Sequence, residues 1–177
     1  MGVTSTTATR LIGPIYAPDG SVLFDPSSQS TSQLNAKTWA GAPNNIAEAT
    51  GSYFTTSSTI VSSGIGLNLG AQVSANNLIR ATGYGYSNTS GNSYQCQVYR
   101  NTTGVPGAGG SVGTDTLITS VSGTPAGVDY YVPFAMSKLD TGLTAATTYY
   151  YYVALLSFGG GTDSVTIYDV TLIAESR

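Results

Sequence analysis

From residue 51 onward the chain alternates short apolar stretches with clusters of Gly, Ser and Asn at regular intervals. The dominant period is two, the period of side chains along a β-strand. The pattern predicts strands over 53–61, 67–73, 78–86, 93–99, 116–121, 130–136, 147–157 and 163–174. Turn clusters separate them: Ser62-Ser63-Gly64, Ser74-Ala75-Asn76-Asn77, 88–92, 104–113, 123–127 and Gly159-Gly160-Gly161. About eight strands punctuated this often point to an antiparallel sandwich or jelly roll. The absence of long stretches of 3.6 period argues against an α/β alternation.

The last two strands are the most distinctive. Residues 149–156 form an unbroken aromatic and aliphatic run, so both faces of that strand need cover. One face meets the opposite sheet. A neighbouring subunit is the simplest cover for the other, which makes Tyr149, Tyr150, Tyr151 and Tyr152 the expected subunit-interface strand. In the final strand Val165 and Ile167 share one phase, while Tyr168, Val170, Leu172 and Ala174 share the other. That switch predicts a β-bulge near Ile167. It leaves Asp169, Thr171 and Glu175 to solvent or polar contacts.

The first fifty residues read differently. They hold four of the seven prolines but only one of the thirteen tyrosines, Tyr16. The division expected is an N-terminal arm over 1–50 and a sandwich over 51–177. Within the arm, apolar residues flank Pro18-Asp19-Gly20-Ser21, where Pro presets a turn angle and Gly accepts positive φ, so a small hairpin is expected. Two strands alone are marginal in water. The arm's apolar residues Leu11, Ile12, Ile15, Tyr16, Val22, Leu23, Phe24 and Trp39 are therefore candidate anchor contacts. The stretch 26–33 reads as a linker, and Asn44 or Asn45 as the cap of a short helix through Ala49, ended by Gly51.

Two resemblances follow from particular residues. Ser58-Thr59-Ile60-Val61, Leu67-Asn68-Leu69 and Leu78-Ile79-Arg80-Ala81-Thr82-Gly83 resemble the opening strands of jelly-roll domains in tailed-phage head-decoration and fibre proteins. The closing run 139–154, then Gly159-Gly160-Gly161-Thr162 and Val170-Thr171-Leu172-Ile173-Ala174-Glu175, resembles the end of the same domains. Many such domains are similar to the tumour-necrosis-factor and C1q folds and form trimers. The resemblance spans 51–177. It implies a particle-bound oligomer and carries over no catalytic residue. A rival resemblance lies in 142–153, which is similar to the tyrosine-corner region of fibronectin type III modules.

Composition narrows the function. Charged residues make up 8% of the chain, against about a quarter in a typical soluble domain. The six basic residues Arg10, Lys37, Arg80, Arg100, Lys138 and Arg177 are dispersed. A nucleic-acid binder needs them clustered, and so does a basic membrane-surface helix. Cys96 is the single cysteine and lies in an alternating strand pattern, which fits a buried thiol. The chain has no histidine, so Ser–His–Asp and Cys–His catalysis lack their base. The nine acids are spread from Asp19 to Glu175 and favour turn positions. No Asp-x-Asp-x-Asp-Gly loop is present, and the glycines of 104–113 lack the Gly-Lys-Ser/Thr ending of a phosphate loop. Asn88-Thr89-Ser90 and Asn101-Thr102-Thr103 match glycosylation acceptors, which marks both as loop tips. No catalytic residue, metal or cofactor is expected.

The reading is a non-enzymatic virion accessory protein: a capsid decoration, cement or head-fibre subunit on the particle surface, made in the host cytoplasm. Its expected partners are copies of itself, with a trimer favoured, and the major capsid or other virion proteins, without nucleic acid or membrane. The first alternative is a tail-fibre tip that reads host surface glycans, with Tyr84, Tyr86 and Tyr99 as a stacking platform. The second is a secreted adhesion or carbohydrate-binding module.

Overall fold

The computed structural model describes residues 15–16, 22–24 and 46–177, apart from Val73, Asp129 and Gly160. The chain divides into two compact units, Met1–Gly41 and Ala42–Arg177. In the first, β1 (Ile15–Tyr16) and β2 (Val22–Phe24) pair antiparallel, with Ile15 opposite Phe24 and Tyr16 opposite Val22. These are the two arms of the expected hairpin. Leu11, Ile12, Trp39 and the linker 26–33 lie outside the described residues.

The second unit is all-β among its described residues. Its strands are β3 (Ile46–Thr55), β4 (Val61–Ala71), β5 (Asn76–Ser87), β6 (Tyr94–Asn101), β7 (Thr116–Gly123), β8 (Val132–Thr141), β9 (Thr148–Ser157) and β10 (Val165–Ser176). They form two four-stranded antiparallel sheets, β3-β10-β5-β8 and β4-β9-β6-β7. The order has a simple logic. β3 pairs β10, β4 pairs β9, β5 pairs β8 and β6 pairs β7, as in one long hairpin with its tip at the β6–β7 connection. Folding that hairpin over adds the β10–β5 and β9–β6 pairings and closes a jelly-roll sandwich. The fibronectin-like alternative is thereby set aside, since those domains use a different strand order. One of its local devices is nonetheless present: the Thr144 amide donates to the Tyr149 hydroxyl at 3.2 Å, five residues back along the chain.

Three local expectations are corrected. Residues 46–50 form the start of β3, not a helix, and pair with β10 from Glu175↔Ile46 to Thr171↔Thr50. The helix-forming Ala47-Glu48-Ala49 yields because a strand ladder and core contacts outweigh weak local propensity. This strand begins ahead of residue 51. The Ser62-Ser63-Gly64 cluster is no turn but lies inside β4, at a register shift between Ser62 and Gly66, with Gly64 at φ 76°. Serine hydroxyls take over the interrupted ladder there: Ser63 Oγ donates to the Val153 carbonyl at 2.7 Å and accepts from the Ile65 amide at 3.1 Å. Residues 56–60, expected within a strand over 53–61, form the β3–β4 connection. Glu175 makes the polar contact expected of it, held between Arg80 at 2.9 Å and Arg177 at 2.8 Å.

The predicted bulge is present. β10 shifts register against β3 between Ile167 and Val170, and against β5 between Tyr168 and Thr171. Asp169 sits there at φ 48°, a left-handed conformation that Asp tolerates better than most residues. The bulge keeps Val165 and Ile167 on one side of it, and Val170, Leu172 and Ala174 on the other, all facing the core. Tyr94 fills one end of the sandwich. A Cβ on Gly85 would come within 2.0 Å of its ring, and a Cβ on Gly123 within 2.5 Å. Two bare glycine backbones thus make the slot that one aromatic ring occupies.

Candidate functional site

Three of the four tyrosines of the β9 ribbon are buried within the chain, and Tyr150 is half-buried. Tyr149 and Tyr151 point into the main core, and Tyr152 points the other way into a second cluster with Tyr99, Val112 and Ala154. The cover expected from a neighbouring subunit comes from this chain's own β6–β7 connection, 102–115. That connection is fastened by Ser62 Oγ to the Pro106 carbonyl at 2.8 Å, by the Ser62 amide to the Gly110 carbonyl at 2.8 Å, and by a bridge between Val61 and Ser111. Tyr151 and Tyr152 have no exposed surface, so their side chains are not available to a partner. A long glycine-rich connection was visible in the sequence, but that it folds back over β4 and β9 was not.

The proposed tyrosine platform also separates. Tyr84 and Tyr86 lie on β5, while Tyr99 lies on β6 of the other sheet. Tyr99 is buried, stacks on Tyr152 with ring centroids 5.8 Å apart, and donates its hydroxyl to Gln97 Oε1 at 2.6 Å. It is corrected from candidate ligand contact to packing residue. Tyr86 instead joins Tyr131 and Tyr168 in a ring cluster with centroid separations of 5.6 to 6.4 Å.

Among the described residues, the outer face of the sheet β3-β10-β5-β8 is left open. Alternation along β5 sends Ile79 and Ala81 inward and Arg80, Thr82 and Tyr84 outward. The registers then align the outward residues into rungs. One rung runs Phe54, Thr166, Tyr86; the next runs Tyr168, Tyr84, Pro133; the far one runs Ile46, Glu175, Leu78, Leu139. Phe54 is 66% exposed, Ile46 63%, Tyr131 57%, Leu139 47% and Tyr84 45%. Large apolar side chains on one continuous face are the signature of a contact surface, whereas scattered ones are ordinary. Sequence alternation gave each residue's direction; only the register placed them side by side.

Elsewhere the polar residues knit the fold together. Arg100 reaches Asp140 with its Nη1 at 2.6 and 2.8 Å from the two carboxylate oxygens, and its guanidinium lies 5.1 Å from the centroid of the Tyr149 ring. The Tyr151 hydroxyl donates to Asp140 Oδ2 at 2.8 Å and accepts from Asn77 Nδ2 at 2.8 Å. Burial pushes the Tyr151 phenol up, and it pushes Cys96 up to about 12 and Tyr94 up to about 12. A thiol so buried is protonated and inert at neutral pH. Tyr152 donates to Asp115 Oδ2 at 2.7 Å, and Asn101 Nδ2 donates to the same oxygen at 2.7 Å. Burial and that hydrogen bond push the Tyr152 phenol up. Among the described residues no three His, Cys, Asp or Glu side chains converge to hold a metal ion.

No family model matches the chain, and no curated protein matches it. Solved structures do. The VP2 subviral particle of infectious bursal disease virus is similar with a TM-score of 0.38 and 11% identity, over 75% of this chain and 36% of that one. The infectious bursal disease virus Gt strain structure is similar with a TM-score of 0.40 and 12% identity, over 93% of this chain and 42% of that one. A D431N mutant VP2 in T=1 particles of the same virus is similar at 0.27 and 14%, over 93% of this chain and 41% of that one. This chain spans about two fifths of their length, and at these scores no residue role passes from them to it.

Proposed function

We propose that this chain is a non-enzymatic structural subunit of a virus particle, a capsid decoration, cement or head-fibre protein that works through protein–protein contacts at the particle surface. The observation that carries this reading is the outer face of β3-β10-β5-β8, which the described residues leave uncovered. A charge-poor sandwich that leaves Ile46, Phe54, Tyr84, Tyr131 and Leu139 open on one side gains from covering that area, at roughly 25 cal/mol per Å² of apolar surface removed from water. A second copy of this chain is the occupant favoured here, in a homo-oligomer of which a trimer is the preferred form. The interface is thus moved from the β9 ribbon to the opposite sheet.

Attachment to the particle is assigned to the arm ahead of β3, with Leu11, Ile12, Ile15, Tyr16, Val22, Leu23, Phe24 and Trp39 as its apolar contacts on a capsid protein. Two measurements test the reading. Light scattering of the full chain is expected to report an oligomer, and the Phe54→Ser, Tyr84→Ser double variant a monomer with unchanged far-UV circular dichroism. A chain lacking 1–41, the first compact unit, is expected to fold but no longer to co-sediment with particles. A wild-type monomer that also fails to co-sediment removes the proposal.

A further inference from the structure

A shallow depression lies between the β5–β6 connection and the two ends of the β9–β10 connection, lined by Thr89, Asn92, Ser93, Phe158, Gly159 and Asp163. We propose that it binds a neutral pyranose unit of a glycan. This goes beyond the structural role above and uses a different surface from the sheet face.

The chemistry rests on three features held in one place. First, an acceptor is in place. Asp163 Oδ1 is engaged by the Thr89 hydroxyl at 2.9 Å, while Asp163 Oδ2 hangs over the bare Cα of Gly159. A Cβ at that position would sit 2.5 Å from Asp163 Oδ2 and 2.8 Å from Asn92 Oδ1. The bare glycine thus lets the Asp163 carboxylate and the Asn92 amide pack directly on the backbone at 159, and the carboxylate is the acceptor that the depression offers. The hydroxyls of a pyranose are donors, and hydrogen bonds to a charged acceptor are the stronger kind. Second, Phe158 lines the same depression and is 57% exposed, an apolar ring face for the C–H side of a sugar. Third, the lining carries one carboxylate and no cation. That disfavours phosphate, sulfate or an acidic sugar and favours a neutral ligand rich in hydroxyls.

The site is also built in advance of any ligand. Asn92 is buried; its Oδ1 accepts from the Gly159 amide at 2.7 Å and its Nδ2 donates to Ser157 Oγ at 3.0 Å. Ser157 Oγ donates on to the Asp163 carbonyl at 3.0 Å. Asn88 Oδ1 accepts from the Ser164 amide at 2.8 Å, and the Asn88 amide donates to the Ser164 carbonyl at 3.1 Å. Loops tied this way lose little freedom on binding, which is where a weak polar ligand otherwise loses affinity.

The test is titration of the full chain with methyl glycosides of glucose, galactose, mannose and N-acetylglucosamine, followed by NMR shift changes, with and without EDTA. Saturable binding of at least one is expected, with a dissociation constant on the order of 1 mM and no dependence on EDTA. Phe158→Ala and Asp163→Asn should each weaken it about tenfold, a change of about 1.4 kcal/mol. Both variants should fold, since Phe158 is exposed and Asn keeps the acceptor for Thr89. Leu117→Ala, at an exposed position on β7, should bind as the wild type does. The proposal is overturned if none of the four sugars binds, if both site variants bind normally, or if only Tyr84→Ala abolishes binding, which moves recognition to the sheet face. EDTA-sensitive binding also overturns it, by making a metal ion the ligand's anchor. Particle attachment should be the same for Phe158→Ala as for wild type, so this test and the test of the structural role fail separately.

Discussion

Arg100 on β6 and Asp140 on β8 tie one sheet of the sandwich to the other through a contact of 2.6 Å. Both side chains are largely buried, Asp140 more so. Tyr151 and Asn77 extend the link, so four strands, β5, β6, β8 and β9, meet in one polar network inside an apolar layer. Removing one member strands the others without water. Asp140→Ala should therefore cost about 3 kcal/mol or more in urea denaturation. The double variant Arg100→Met, Asp140→Leu should cost clearly less than the sum of its single changes, because it leaves no unpaired charge. Additive losses would show that the pair is not coupled.

Gly85 should tolerate no side chain. Its missing Cβ is replaced by the ring of Tyr94, and the ring cannot retreat because Gly123 borders it as well. Gly85→Ala is expected to lower stability by about 1–3 kcal/mol, the usual range for overpacking a filled core. Gly107→Ala is the control. Nothing stands within 4 Å of its added carbon, and its thermal midpoint should match wild type within error.

Stability should fall on the alkaline side. The Cys96 thiol moves from its ordinary value of 9.0 up to about 12 in the fold, and Tyr94 from 10.0 up to about 12, both chiefly through burial. The folded state thus holds protons that the unfolded chain releases. That contribution is complete below pH 9 and is lost as pH rises from 9 toward 12. Urea midpoints measured across that interval should decline steadily, and less steeply in Cys96→Ala. A thiol reagent should label Cys96 only at the rate of unfolding. Rapid labelling of the native protein would contradict its burial.

Tyr152→Phe should loosen the β6–β7 connection without opening the sandwich. The lost hydroxyl leaves Asp115 with one donor fewer, and such a charged hydrogen bond is worth about 1.5–3 kcal/mol. Hydrogen exchange should quicken across 102–115 and stay slow in β5 and β10. Uniform quickening would mean that the connection unfolds only with the whole domain.

Much of the architecture was readable in the chain. The period of two located seven of the eight strands, the predicted 53–61 overlapping β3 only at 53–55, and the change of phase around Ile167 marked the bulge. The hairpin of the arm followed from one Pro-Asp-Gly turn. Readings failed where a local signal competed with a distant partner. Ala47, Glu48 and Ala49 prefer a helix in isolation, and β10 draws them into a strand. Ser62-Ser63-Gly64 has turn composition, yet hydroxyl bonds to Val153 and Pro106 carry it straight through β4.

The sequence by itself determined which residues point inward, because alternation is a property of neighbours along a strand. It also determined that histidine-based catalysis is absent. It did not determine what lies above each strand. The run 149–152 looked like surplus apolar surface, and the fold sends Tyr149 and Tyr151 into the core and covers Tyr152 with 102–115 of the same chain. Phe54, Tyr84 and Leu139, far apart in sequence and individually unremarkable, became one open face. Asn92, Gly159 and Asp163 met across a gap of about seventy residues. Strand register and loop closure are set by contacts between distant segments, and those exist only once the long hairpin has folded over on itself.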